Sequence, residues 1–112
     1  MPKNSDDQDL FADALDAMIL HSLRLKPMHG YALVKHIKKV SDDLLQIEQE
    51  SLYPALRPLL KKGLLDSEDA ISAINRRIRN CRHSEDGIKH LTKSTFQLRE
   101  EIAGISRVIA VH

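Results

Sequence analysis

At 112 residues and 42% apolar content, the chain can form one domain with its own core, near the size where oligomerisation often adds to that core. Aromatic residues make up only 4%, with no tryptophan, which argues against wide stacking platforms for single-stranded nucleic acid. A formal net charge of +1 would be weak evidence for nucleic-acid binding if the charges were evenly mixed, and they are not.

Asp6, Asp7, Asp9, Asp13 and Asp16 fall within residues 4–16 with no base among them. Arg24, Lys26, Lys35, Lys38 and Lys39, with His29 and His36, fall within residues 24–39 with no acid. Arg76, Arg77, Arg79, Arg82 and His83 make a second acid-free run at residues 76–83. Local positive fields of this kind steer binding to phosphate, and an ordinary solvated face is the other reading of each run. Cys81 is the single cysteine, so no internal disulfide or cysteine metal motif can form, and packing in a strand is its expected role. No apolar stretch approaches about 18 residues and the acidic N-terminus does not resemble a secretion signal, so the expectation is a cytoplasmic protein with no membrane partner.

Residues 1–8 read as a loose tail. From Asp9 onward, Leu10, Phe11, Ala14, Leu15, Met18, Ile19 and Leu23 recur at steps of three and four, an amphipathic helix that should end before Lys26-Pro27. A second helix is expected over His29 to Val40, burying Tyr31 or Leu33 together with Val34, Ile37 and Val40. The Ser41 to Glu50 segment reads as a short turn or an extended strand. The run SLYPALRPLLKKG at residues 51–63 reads as a third helix, with Ser51 as its cap and Pro54 in its first turn. Gly63 would supply its left-handed exit. Leu52, Ala55, Leu56, Leu59 and Leu60 form the apolar side, leaving Arg57, Lys61 and Lys62 to reach a partner.

Past Gly63 the pattern changes. Leu64 and Leu65 lead into a strand and a polar turn over Asp66 to Ala73, with Ile74 to His83 returning. Ile71, Ile74 and Ile78 also fit helical spacing, so periodicity leaves the stretch open between hairpin and helix; a hairpin is the expectation. Ser84 can cap a last helix beginning at Glu85. Ile88, Leu91, Thr95, Leu98, Ile102, Ile105 and Ile109 then alternate steps of three and four, widened by Phe96 and Val108. A helix of that length has more apolar face than a small trihelical core needs, which points to a dimer. A single helix folded back over its own domain is the alternative.

Enzyme chemistry finds little footing, and no catalytic residue, metal site or cofactor is expected. The six histidines make no HxxxH or HExxH motif, and His29 and His36 have no carboxylate at ligand spacing. No glycine-rich phosphate loop or nucleophile elbow is present. Three short helices followed by a basic hairpin is instead the layout of a winged helix-turn-helix. In that layout the third helix enters the major groove, the second braces it, and the wing lies against the neighbouring backbone. Arg57 is the candidate for a base edge, because its planar fork matches guanine. Ser51 and Tyr53 stand at the leading end, Lys61 and Lys62 at the trailing end near phosphate. Arg76, Arg77 and Arg79 would clamp phosphates or enter the minor groove.

With these elements in place the chain resembles the PadR family of bacterial transcriptional regulators. The family patterns LDxLIL, PxHGYxL and EexxLYPALxxLexxGLI and an Asn-Arg-Arg wing stand here as LDAMIL (15–20), KPMHGYALVKHI (26–37), IEQESLYPALRPLLKKGLL (47–65) and NRR (75–77). The likeness covers about residues 10–110 and fits the compact form with one C-terminal helix. It adds to the case for the hairpin. It implies a homodimer on a palindromic operator, usually a repressor, with Tyr53 and Pro54 on the recognition helix. It also places His29, Gly30 and Tyr31 at the start of the second helix, and Arg76 and Arg77 on the wing. Family members respond to phenolic acids or cationic lipophilic drugs, so a small-molecule effector of unknown identity belongs to the implied partners. The chain departs from the family in lacking the wing tryptophan, in His83-Ser84 for a Leu-Thr pair, in Pro58 within the third helix and in Glu50 at its start.

The expectation is therefore an α+β, mostly helical chain. Residues 1–8 would be a tail, 9–84 a winged helix-turn-helix and 85–112 a dimerisation helix. Double-stranded DNA would be held by His29, Tyr31, Ser51, Tyr53, Pro54, Arg57, Lys61, Lys62, Arg76, Arg77 and Arg79. A homodimer would form through Phe11, Leu15, Ile88, Leu91, Thr95, Leu98, Ile102, Ile105 and Ile109. An interaction module that keeps the fold without operator-specific binding is the alternative function, and a non-selective DNA-coating protein a third.

Overall fold

The computed structural model describes residues 10–111, so the expected tail at residues 1–8 lies outside the described residues. Four helices and one antiparallel hairpin follow in the order α1 (Leu10–Leu23), α2 (Gly30–Val40), α3 (Gln49–Lys61), β1 (Leu65–Ile71), β2 (Arg77–His83) and α4 (Glu85–Ala110). This is the mostly helical winged-helix arrangement that the sequence suggests, with the long C-terminal helix in place.

The apolar stripe of α1 forms the centre. Leu15, Ile19, Leu20 and Leu23 are buried against Leu33 and Ile37 of α2, Leu52, Leu56 and Leu59 of α3, and Leu91 of α4. Each fully buried leucine or isoleucine contributes about 1.5–3 kcal/mol relative to exposure, so this cluster is what holds three short helices together. Helix α1 ends in tightened bonds, Arg24 N–H to the His21 carbonyl and Leu25 N–H to the Ser22 carbonyl. The Leu20 carbonyl is taken instead by His83, whose Nε2–H reaches back from the end of β2. Where the resemblance would put an apolar leucine, a polar tie joins wing and helix, with His83 Nδ1 buried and without a partner among the described residues.

Helix α2 starts one residue after His29, whose Nδ1 accepts from the Ala32 N–H. Leu33 and Ile37 are buried, but Val40, expected in the core, is 68% exposed because it is the last residue of α2 and lies past the packed face. Between α2 and α3 the chain makes a turn rather than a strand. Asp42 and Asp43 both adopt positive φ, 56° and 65°, a conformation that aspartate tolerates better than most residues.

Helix α3 begins three residues earlier than the sequence suggests. Glu48 occupies the cap position with no side-chain bond, and Ser51 is an exposed residue inside the first turn. Ile47, only 9% exposed, anchors the chain just before the cap, so packing rather than capping sets where α3 starts. Pro54 and Pro58 accordingly both fall within the helix, which runs through them without a break. Gly63 provides the left-handed exit at φ 77°.

The hairpin pairs Leu65 with His83 at its base and Ile71 with Arg77 at its far end. Leu65 and Cys81 turn inward to the core. A third chain segment joins this sheet edge: Met28 and Cys81 exchange both backbone hydrogen bonds, 3.1 and 2.8 Å. The loop before α2 is thereby fixed to the wing. Ser84 caps α4 as expected, accepting from the Gly87 N–H at 3.0 Å, and its hydroxyl donates to the Gly63 carbonyl at 2.5 Å. A side chain at Gly87 would collide with the Leu64 carbonyl oxygen. The end of α3 and the start of α4 are therefore locked to each other.

Candidate nucleic-acid interface

Helical spacing puts Glu50, Tyr53, Pro54, Arg57, Pro58 and Lys61 along one side of α3, opposite Leu52, Leu56 and Leu59, and all six are exposed. No described carboxylate pairs with Arg57 or Lys61, so both cations are available to a ligand. Lys62 sits off this stripe and faces α1, where Asp16 has its carboxyl pushed up to about 6. Burial is the main cause; Lys62 works against it and Asp13 adds to it.

The leading end of α3 is bound to the start of α2. Tyr53 lies over Gly30, where an added methyl would come within 3.1 Å of its ring. The Gln49 amide donates to the Tyr53 hydroxyl at 3.2 Å. On α2, His29 and Tyr31 stack with ring centroids 6.5 Å apart and 4° between planes. The Lys35 ammonium sits 5.2 Å from the Tyr31 centroid, a cation–π distance. His29, Tyr31 and Tyr53 are thus brought into one neighbourhood. Gln49 and Lys35 belong to it as well and were not among the expected site residues; the signal for both is a four-residue step to a tyrosine.

The wing divides its arginines into two kinds. Arg79 pairs with Asp69 across the hairpin at 3.3 Å, and Arg82 with Glu68 at 3.7 Å. All four side chains are largely exposed, so these pairs add little stability, but they offset charge along the strands. Arg76 and Arg77 are exposed and have no acidic partner among the described residues. The free positive charge of the wing is therefore concentrated at its far end.

The residues expected at a dimer seam separate by depth. Leu15 and Leu91 are 3% and 4% exposed and belong to the core of the single chain. Thr95 shares a 2.8 Å hydrogen bond with His21 of α1, tying α4 to its own domain. Burial, with Arg24, Arg99 and His83 nearby, holds the His21 ring below the ordinary imidazole range. Phe11, Ile88, Ile102, Ile105 and Ile109 are exposed and Leu98 is half-buried. Every residue from Arg99 to Val111 is exposed, so the outer half of α4 carries an apolar face that no other described residue buries.

Among the described residues no helix is long and apolar enough to cross a membrane. A search of curated proteins finds no match. Solved structures match over nearly the whole chain. A transcriptional regulator from Clostridium thermocellum is 25% identical, with 94% of this chain and 100% of that chain covered, at a TM-score of 0.79. A PadR family transcriptional regulator from Eggerthella lenta is 29% identical over 88% of this chain and 84% of that one, at a TM-score of 0.70. The fold is shared with Bacillus subtilis PadR in its complex with operator DNA, at 20% identity and a TM-score of 0.64, over 71% of this chain and 45% of that chain. The family model for the transcriptional regulator PadR-like family matches residues 19–93, which span α2, α3, the wing and the first turns of α4. The chain therefore belongs to the PadR-like family of transcriptional regulators.

Proposed function

We propose that this regulator binds double-stranded DNA sequence-specifically as a homodimer and acts as a repressor. The observation that carries the reading is the exposed stripe of α3, where Tyr53, Arg57 and Lys61 face outward from a helix fixed by Gly30–Tyr53 packing. The family relationship and the operator-bound Bacillus subtilis relative support it. In this reading α3 lies in the major groove with Arg57 on a base edge, while the unpaired Arg76 and Arg77 hold the flanking backbone. The exposed half of α4 pairs two copies, placing their α3 helices about one DNA turn apart, and a small-molecule effector would act by changing that spacing.

Equilibrium titration of Arg57→Ala on a specific and a random duplex tests the roles. Specific binding should weaken by about 1–3 kcal/mol with little change on random DNA. Replacing Arg76 and Arg77 together by Ala should weaken both and lower the salt slope by about 2. Equal loss of specific and random binding for Arg57→Ala would remove its base-reading role. A dimer that never prefers one duplex over another would favour an interaction module, the reading suggested by Glu50 and Pro58 on the α3 stripe.

A further inference from the structure

The tip of the wing is built more rigidly, and is more apolar, than a phosphate clamp requires. Ser72 to Arg76 form a tight reversal. The Asn75 N–H bonds to the Ser72 carbonyl at 2.9 Å and the Ser72 N–H to the Arg76 carbonyl at 2.8 Å. The Ser72 hydroxyl accepts from the Arg76 N–H at 3.1 Å, and Asn75 takes the left-handed position at φ 63°. This is a type I turn closed by a left-handed residue, a common three-residue hairpin loop. Its most projecting apolar residue is Ile74, 75% exposed, with Ile71 62% exposed behind it. Turn chemistry does not ask for isoleucine there, since Gly, Asn, Asp and Ser are the residues such positions favour. Directly after it come Asn75 and the two arginines without acidic partners.

An exposed isoleucine followed by a polar amide and two free guanidiniums matches one chemistry well. Proteins that enter the minor groove place arginine along its negative floor and push an apolar side chain against or between base steps. Resting on the DNA-binding reading above, we infer that Ile74 is a minor-groove wedge that makes the regulator selective for a deformable pyrimidine–purine step beside the bases read by α3. Arg76 and Arg77 draw the tip into the groove, and the three hydrogen bonds of the turn keep Ile74 projecting as it enters. Steps such as TA and CA/TG unstack most cheaply, so the wedge converts DNA flexibility into sequence preference at a position no side chain reads by hydrogen bonding.

The test is selection from a duplex library with a randomised core, using the full chain and its Ile74→Ser and Ile74→Val variants. Ile74 is mostly solvent-exposed, so these variants should keep the fold, and a circular dichroism spectrum checks that. Wild type and Ile74→Val should enrich a pyrimidine–purine step at a fixed offset from the major-groove motif. Ile74→Ser should enrich the same motif without the step, with preference for a step-bearing duplex over its AA counterpart falling about tenfold. A shared motif with identical step statistics for wild type and Ile74→Ser, or with no step in either, would overturn the wedge and leave DNA reading by α3 intact. No enriched motif with any of the three proteins would remove both.

Discussion

Asp16 is half-buried on α1 beside the end of α3, and its carboxyl titrates at about 6 instead of the ordinary 3.8. Within that window the folded chain keeps a proton that the unfolded chain has released, so this group lowers stability as pH rises from 3.8 to about 6. Asp16→Asn should therefore raise the urea midpoint near neutral pH, and the gain should shrink toward the acidic end of the window. A variant no more stable than wild type at neutral pH would show that pairing with Lys62 outweighs the burial of Asp16. Residue roles of this kind were partly legible in the sequence. Ser84 as a cap and Gly63 as a left-handed exit follow from local chemistry, and both are found. Nothing local to Asp16 or His83 shows that one is desolvated and the other reaches the Leu20 carbonyl, because both environments arise only when α1 meets the ends of α3 and β2.

Helix α3 is the element in which local rules and tertiary packing disagree. Two prolines interrupt its hydrogen bonding, removing the donors that would meet the Glu50 and Pro54 carbonyls, yet Leu52, Leu56 and Leu59 hold the helix continuous. Both prolines lie on the exposed stripe, where solvent can reach the orphaned carbonyls. Pro58→Ala should consequently stabilise the protein by about 1–3 kcal/mol in urea denaturation, since it restores a bond without touching the core. A loss of stability would mean that the proline ring itself supports the surrounding packing. The same competition places the cap at Glu48 rather than Ser51: a good capping residue loses to the burial of Ile47 upstream. In the wing, Ile71, Ile74 and Ile78 fit a helix as well as a hairpin, and the left-handed Asn75 is what a purely periodic reading passes over. The pairing of Met28 with Cys81 joins residues far apart in sequence and had no signal in either segment.

At the scale of the molecule, a net charge of +1 conceals a division of labour. Ion pairs with Asp69 and Glu68 offset Arg79 and Arg82, whereas Arg57, Lys61, Arg76 and Arg77 have no acidic partner among the described residues of α3, the wing and the rest of the fold. Helix α4 runs 26 residues, about 39 Å at the usual rise, and its described residues from Arg99 onward are all exposed. Ile102, Ile105, Val108 and Ile109 are exposed there among the described residues, which is why pairing of two copies belongs to the functional reading rather than standing as an accessory to it. Binding of the full chain to duplex DNA from upstream of its own gene, against a random duplex of equal length at fixed physiological salt and with mass determined in solution, tests this most directly. The expected result is a dimer that prefers the upstream duplex by at least about a hundredfold, a floor set below the roughly thousandfold or greater preference typical of specific regulators. A monomer, or a dimer that binds both duplexes alike, would contradict it.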